Sequence, residues 1–183
     1  MLATTKAPIA TPAAGKGLRV RVMPLRAVID VYIALGALPQ SMSFTQAQAA
    51  LHAGTLDGQD TMSTTLIATQ AYASGLKFVT RWGAFADVMV FAVRKPIWDA
   101  WPEDRRALAR GAAGQAAREA NAIAREDAAL AQLTQEGVTI VRLSSTQRAA
   151  LRDAAQPAVA AWTAAVGADL VAAARAAVAA AGK

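Results

Sequence analysis

Across positions 18–23 apolar and other residues alternate, with Leu18, Val20 and Val22 on one face and Arg19, Arg21 and Met23 on the other. A period of two marks a strand with one buried face, and here it sets both arginines together on the opposite face. Immediately downstream the period changes. Val28, Val31, Tyr32 and Leu35 recur at spacings of three and four and stop at Gly36, which predicts a helix closed by its glycine. Strands that feed helices in this way, repeated along a chain, place the fold in the α/β class.

The same signals extend the reading in both directions. Residues 1–16 are rich in Ala, Thr, Pro and Gly without an apolar period, which predicts an extended lead-in. Leu38-Pro39 predicts a break in the chain. Ser43 stands where an N-cap belongs, ahead of a helix carrying Phe44, Ala47, Ala50 and Leu51 that ends near Gly54. A turn at Asp57-Gly58, a third helix over 62–74 and strands over 76–82 and 88–93 follow. Pro102, Glu103 and Asp104 form a strong helix start. No proline interrupts the chain from there to Gly137, so 102–136 predicts one helix on the order of 50 Å long. A strand over 138–143 and two alanine-rich helices from Ser145 onward, divided at Pro157, complete the pattern.

Apolar residues make up 55% of the chain but aromatic ones only 5%, and the alanine that fills the difference points to closely packed helices. A net charge of +6, from 19 Lys and Arg against 13 Asp and Glu, favours anionic partners. The arginines are spread along the chain, whereas nucleic-acid binding needs a concentrated basic stripe, so no nucleic-acid partner is expected. With no cysteine, disulfides and thiolate zinc sites are excluded. The apolar stretch 157–182 is mostly alanine and is interrupted by Asp169 and Arg175, which makes it a poor membrane span. Positions 1–6 lack a charged segment followed by an apolar one, so no secretory signal is read there.

Reactive chemistry finds little material. His52 is the sole histidine, so a paired-histidine metal site cannot form and a Ser-His-Asp arrangement would have to use it. It lies on a predicted helix among polar neighbours. Gly15-Lys16-Gly17 and the Gly111 to Gly114 pair lack phosphate-loop spacing; they read as a flexible approach to a strand and a small-residue helix face. The carboxylate pairs Glu103/Asp104 and Glu126/Asp127 read as capping and solvated charges of the long helix. No catalytic residue, metal or cofactor is expected, and the chain does not read as an enzyme.

What stands out is a series of spaced segments: Pro8-Ile9-Ala10-Thr11-Pro12, Gly17-Leu18-Arg19-Val20-Arg21-Val22, Ala34-Leu35-Gly36-Ala37-Leu38-Pro39, Met42-Ser43-Phe44, Ala50-Leu51 and Gly54-Thr55-Leu56-Asp57-Gly58-Gln59-Asp60. Together they resemble the solute-binding proteins of tripartite ATP-independent (TRAP) dicarboxylate transporters, DctP-like, which read PI-x-TP, GLKIRV, ALGA-x-P, PM-x-F, AL and G-x-x-DGQEN at the same spacings. Trp98-Asp99 followed by Pro102-Glu103-Asp104 is similar to the segment leading into that family's long connecting helix. The resemblance covers nearly the whole chain.

The resemblance implies a partial periplasmic binding protein fold: one α/β lobe plus a long connecting helix and C-terminal helices. Residues 17–86 would form the second α/β lobe, 87–136 would return to the first lobe and supply the long connecting helix, and 137–183 would add the C-terminal strand and helices. Arg21 matches the arginine that grips the substrate carboxylate, a role suited to a rigid planar fork of donors. The Asp57-Gly58-Gln59-Asp60 turn leads into the helix that starts near Met62, so its backbone N–H groups and the positive helix end can face an anion, and Asp60, expected to cap that helix, is a candidate ligand-binding residue. Thr61 takes the place of a ligand-contacting asparagine and Met62 that of the following proline. Trp82 and Phe85 fall where the family places pocket-lining residues, though both also suit a core. The implied function is capture of a small organic acid, a dicarboxylate or similar carboxylate, in the periplasm. Delivery would be to TRAP membrane subunits, the membrane being approached only through the transporter. The family pattern opens with a signal peptide and the main sheet of a first lobe, which this sequence does not show. The alternative expectation is therefore a truncated or mis-started fragment that binds nothing, with Met89, Phe91, Ile97 and Trp98 left uncovered.

Overall fold

A computed structural model describes residues 1–85, 90–123 and 126–181. The segment expected as a lead-in supplies instead the strand on which the sheet turns. β1 (Leu2–Thr4) lies antiparallel between β4 (Gly58–Asp60) and β5 (Phe78–Arg81), with Leu2, Ala3 and Thr4 each at most 1% exposed. Three residues are too few to show a period, and their partners are far away in sequence. β2 (Arg19–Val22), β3 (Leu38–Ser41) and β6 (Thr139–Arg142) complete a six-stranded sheet in the order β3-β2-β4-β1-β5-β6. Pairs β2–β3, β2–β4 and β5–β6 are parallel and β1 is antiparallel to both its neighbours, so among these six described strands β1 alone is reversed. Pro39 does not break the chain but sits in β3, at the sheet edge, where a missing N–H costs no ladder bond.

Parallel neighbours need helical crossovers. α2 (Arg26–Ala34) joins β2 to β3, and α3 (Phe44–His52) joins β3 to β4; a short α1 (Pro12–Gly15) precedes β2. The helix expected over 62–74 is only α4 (Ser63–Ala68), because Gln70 takes a left-handed conformation at φ 53° and a 3-10 turn at Ala71–Ser74 follows. α5 (Lys95–Ala100), α6 (Glu103–Ile123) and α7 (Glu126–Gln135) connect β5 to β6, α6 and α7 standing where one helix was expected. Residues 124–125, between them, lie outside the described ones. Of the strand expected over 88–93, positions 90–93 are not strand and 88–89, Met89 among them, also lie outside the described residues. α8 (Ser145–Ala154), α9 (Gln156–Val166) and α10 (Ala168–Ala181) follow β6. Pro157 opens α9 as expected, and Gly167, at φ 103°, adds a second break.

Strand alternation divides the core between the two faces of the sheet. Leu2, Val20, Val22 and Trp82 pack with Val28 and Tyr32 of α2 and Leu151 of α8. Ala3 and Val79 pack on the other side with Ala47 and Leu51 of α3, Leu66 of α4 and Leu130 and Leu133 of α7. Outside these cores, Phe91 is 61% and Ile97 47% exposed. Trp98 is partly covered, its ring 5.8 Å from that of Trp101 and under the Arg110 guanidinium at 5.4 Å.

Candidate ligand-binding edge

All the parallel strands end on one side of the sheet, and the reversed β1 begins there. In open α/β sheets ligands sit outside the carboxyl ends of the strands. Arg21, Asp60, Thr61 and Trp82 stand at the ends of β2, β4 and β5 on this edge, with Met1 beside them, its carbonyl accepting the Thr61 N–H at 3.0 Å.

The two arginines of β2 share a face but not a task. Arg19 is committed to structure: its Nε and Nη2 each reach an Asp57 carboxylate oxygen at 2.8 Å, its backbone N–H a third time at 3.1 Å, and Nη2 also reaches the Gly54 carbonyl. Arg21, closer to the edge, is half-buried and donates Nε–H to the Met42 carbonyl at 3.2 Å, one of its five donors. Desolvation pulls its guanidinium below the ordinary arginine value, and the charge of Asp60 opposes this. A partly desolvated cation forms stronger charge-assisted bonds than a fully hydrated one. Behind it on the same face lies a polar layer in which Ser74 donates to Gln48 at 2.8 Å and Gln48 to Gln59 at 3.0 Å.

Asp60 is not a helix cap. It ends β4, and its carboxylate accepts the Tyr32 hydroxyl at 2.7 Å and lies 3.9 Å from the Met1 ammonium. Burial, then the charge and hydrogen bond of Asp60, hold the Tyr32 phenol well above its usual range. Met62 occupies the cap position of α4 and makes no side-chain capping bond. Likewise Gly58 belongs to a strand and not to a turn facing solvent, since a Cβ there would stand 2.5 Å from the Ala3 carbonyl oxygen.

Trp82 is both core and wall. It is 7% exposed, its ring 5.4 Å from Tyr32 and 5.7 Å from Phe85, with Phe85 6.3 Å from Tyr32. Trp82 and Phe85 also line a cavity of about 570 Å³ with Met1, Met62, Arg81, Arg142 and Arg148. Arg21, Asp60 and Thr61 are not among its lining residues, so the edge holds the expected residues in two neighbouring groups. Sequence reasoning missed the arginines of the second group. Arg81 pairs with Glu126 at 2.7 Å and lies 3.7 Å from Asp127, so these two acids are partners of the cavity cations as well as first-turn charges of α7. The available signal was the position of Arg81 and Arg142 at equivalent ends of two strands.

Among the described residues no group of three or more His, Cys, Asp or Glu is placed to hold a metal ion. Among the described residues no single helix is long and apolar enough to cross a membrane; α9 and α10 pass that test only as a pair bent by 115°.

This sheet, its flanking helices and its ligand-side edge define an α/β lobe of the periplasmic-binding-protein type. Three resemblances narrow the class. The chain is 29% identical over 177 residues to the C4-dicarboxylate-binding periplasmic protein DctP of Rhodobacter capsulatus, covering 94% of this chain and 52% of that protein. It superposes with a TM-score of 0.92 and 33% identity on a TRAP periplasmic solute-binding protein of Ralstonia eutropha H16 solved with bound (S)-2-acetolactate, covering 97% of this chain and 59% of that one. A counterpart from Shewanella oneidensis, solved with bound succinate, shares the fold at 21% identity and a TM-score of 0.79, covering 93% and 56%. The chain belongs to the bacterial extracellular solute-binding proteins, family 7, whose model matches residues 1–165. It spans about half the length of the curated relatives it matches. The family serves transport and is not an enzyme family.

Proposed function

We propose that the chain contributes the carboxylate-gripping lobe of a TRAP-type solute-binding protein, which captures a small organic acid in the periplasm and delivers it to the membrane subunits. The observation that carries this is Arg21: a half-buried guanidinium at the carboxyl-end edge of the sheet, four of its donors beyond the bond to Met42, in a member of a solute-binding family. Thr61, Trp82 and Phe85 are the further ligand-facing residues of this reading, and Asp60 acts through Arg21 and Tyr32 instead of touching the ligand. The sheet and the helices packed on it form the second lobe, with β1 and α7 added to the 17–86 unit. The stretch 90–123, whose Phe91 and Ile97 are exposed, reaches toward a first lobe.

A thermal-shift screen of the chain against monocarboxylic, dicarboxylic, sugar and amino acids tests the reading, with each hit titrated calorimetrically against Arg21→Lys. Lysine keeps the charge but loses the planar fork, so affinity falls about tenfold or more. Unchanged affinity removes Arg21 from the site. No shift with any acid favours the reading of a fragment without ligand binding.

A further inference from the structure

In the parallel register of the sheet, Arg21 lies opposite Gln40 of β3 on one side and Gln59 of β4 on the other, so a glutamine flanks it in both directions. Strand alternation sends all three side chains to one face. The two amides are differently placed. Gln59 is fully buried, and its carbonyl oxygen accepts from Gln48, which in turn accepts from Ser74. Gln40, on the edge strand, is half-buried, and its carboxamide makes no hydrogen bond with any of the described residues.

The guanidinium reaches toward the open amide and not the buried one. Arg21 Nε–H donates to the Met42 carbonyl at 3.2 Å, and Met42 follows directly on Ser41, the last residue of β3, so the bond draws the side chain across to the carboxyl end of that strand. Adjacent strands lie about 4.8 Å apart, which brings the atoms next to a carboxylate gripped by Arg21 within a strand spacing of Gln40. A carboxamide offers two N–H donors and an oxygen acceptor. It can pair with a hydroxyl in either direction and with a keto oxygen through its N–H. Because Gln40 is only half-buried, water satisfies it when neither group is present, and an unsubstituted acid is not penalised.

We propose that Gln40 is a specificity-determining residue of this edge, its carboxamide pairing with a hydroxyl or keto oxygen on the carbon next to the carboxylate that Arg21 holds. This rests on the solute-binding reading and deepens it by naming a preferred ligand class, 2-hydroxy and 2-oxo acids over their unsubstituted parents. Arg21 supplies binding common to all carboxylates. Gln40 supplies the discrimination, as a neutral hydrogen bond between groups that water only partly serves.

The test is calorimetric titration of the chain with matched acids, lactate and pyruvate against propionate, and 2-hydroxybutyrate against butyrate. The substituted acids are expected to bind about threefold to tenfold more tightly than their parents, the range of one neutral hydrogen bond. Gln40→Leu, close in size but without donors or acceptors, should bring that ratio to about one while the parent acids keep their affinity. Gln40→Glu should weaken every acid about tenfold or more, because a carboxylate at position 40 competes with the ligand for Arg21. Ser41→Ala, on the same strand but in register with Val22 on the opposite face, should leave the ratio as it is. Thermal unfolding of each variant separates lost binding from lost fold. A ratio near one in the unaltered chain, a ratio unchanged in Gln40→Leu, equal losses for both members of a pair in that variant, or undiminished propionate binding in Gln40→Glu overturns the role of Gln40 and leaves the solute-binding reading standing. If the unaltered chain binds no acid of either set, that reading loses its support for these acids, and the role of Gln40 falls with it.

Discussion

Gly58 separates two accounts of the Asp57-Gly58-Gln59-Asp60 segment, as an anion-binding turn and as a strand wedged into the sheet. In the structure Gly58 pairs with Val20 of β2 on one side and Thr4 of β1 on the other. An added Cβ would lie 2.5 Å from the Ala3 carbonyl oxygen and 3.0 Å from Thr4 Cγ2. Neither neighbour can give way cheaply, because β1 is held by β5 on its far side and Ala3 and Thr4 are at most 1% exposed. Overpacking a close-packed interior costs about 1–3 kcal/mol, and a backbone oxygen as the obstacle puts Gly58→Ala at the upper end, about 3 kcal/mol. Reduced freedom of the unfolded chain returns about 0.4–1 kcal/mol. The net loss is then about 2–3 kcal/mol, read as a lowered urea midpoint with unchanged slope, or as a fall in Tm of roughly 5–10 °C for a chain of this size. Gly111→Ala is the control. Its Cβ meets nothing within 4 Å in α6, so the helix should gain about 0.5–1 kcal/mol. Should Gly58→Ala prove as stable as the unaltered chain, the close approach of β1 to β4 would be wrong, and with it the placement of the opening residues at the centre of the sheet.

Two further outcomes follow from the same packing. Leu2→Ala removes a side chain that is 1% exposed between two sheet neighbours, and a loss of about 2–4 kcal/mol in chemical denaturation is expected, against almost none if these residues were a lead-in. Asp57→Asn should cost about 1–2 kcal/mol near neutral pH, allowing for the partial exposure of its partners. The Arg19 hydrogen bonds hold the Asp57 carboxyl well below the usual carboxylate range against a smaller opposing effect of burial. Its folded pKa is thus below the unfolded value of about 3.9, so its stabilisation is present above that pH and is lost as pH falls toward the folded value. The gap between Asp57→Asn and the unaltered chain should therefore close in acid; a gap that stays constant from pH 7 to below 3, in rough terms, would show that the carboxylate charge is not what matters.

Elements whose signal is local were legible in the sequence. The alternation of Arg19–Val22, the three-and-four spacing of α2 with Gly36 at φ 74° after it, the Ser43 cap of α3 and Gly137 at φ 84° beyond α7 all reflect preferences that the chain carries within one or two turns. Family membership was legible for a related reason, since it rests on spaced segments along one chain. Pairing was not. Leu2-Ala3-Thr4 and Leu38-Pro39-Gln40-Ser41 are strands only because Gly58–Asp60, Phe78–Arg81 and Arg19–Val22 lie beside them, and three or four residues cannot declare such partners in advance. The site divides in the same way. That Arg19 and Arg21 share a face follows from a period of two, but which of them is spent on Asp57 and which is left at the open edge depends on where the loop before β4 returns. That Asp60 holds Tyr32, and that Arg81 meets Glu126 while Arg142 lies near Asp127, are facts of juxtaposition, decided when helices distant in sequence pack on one sheet.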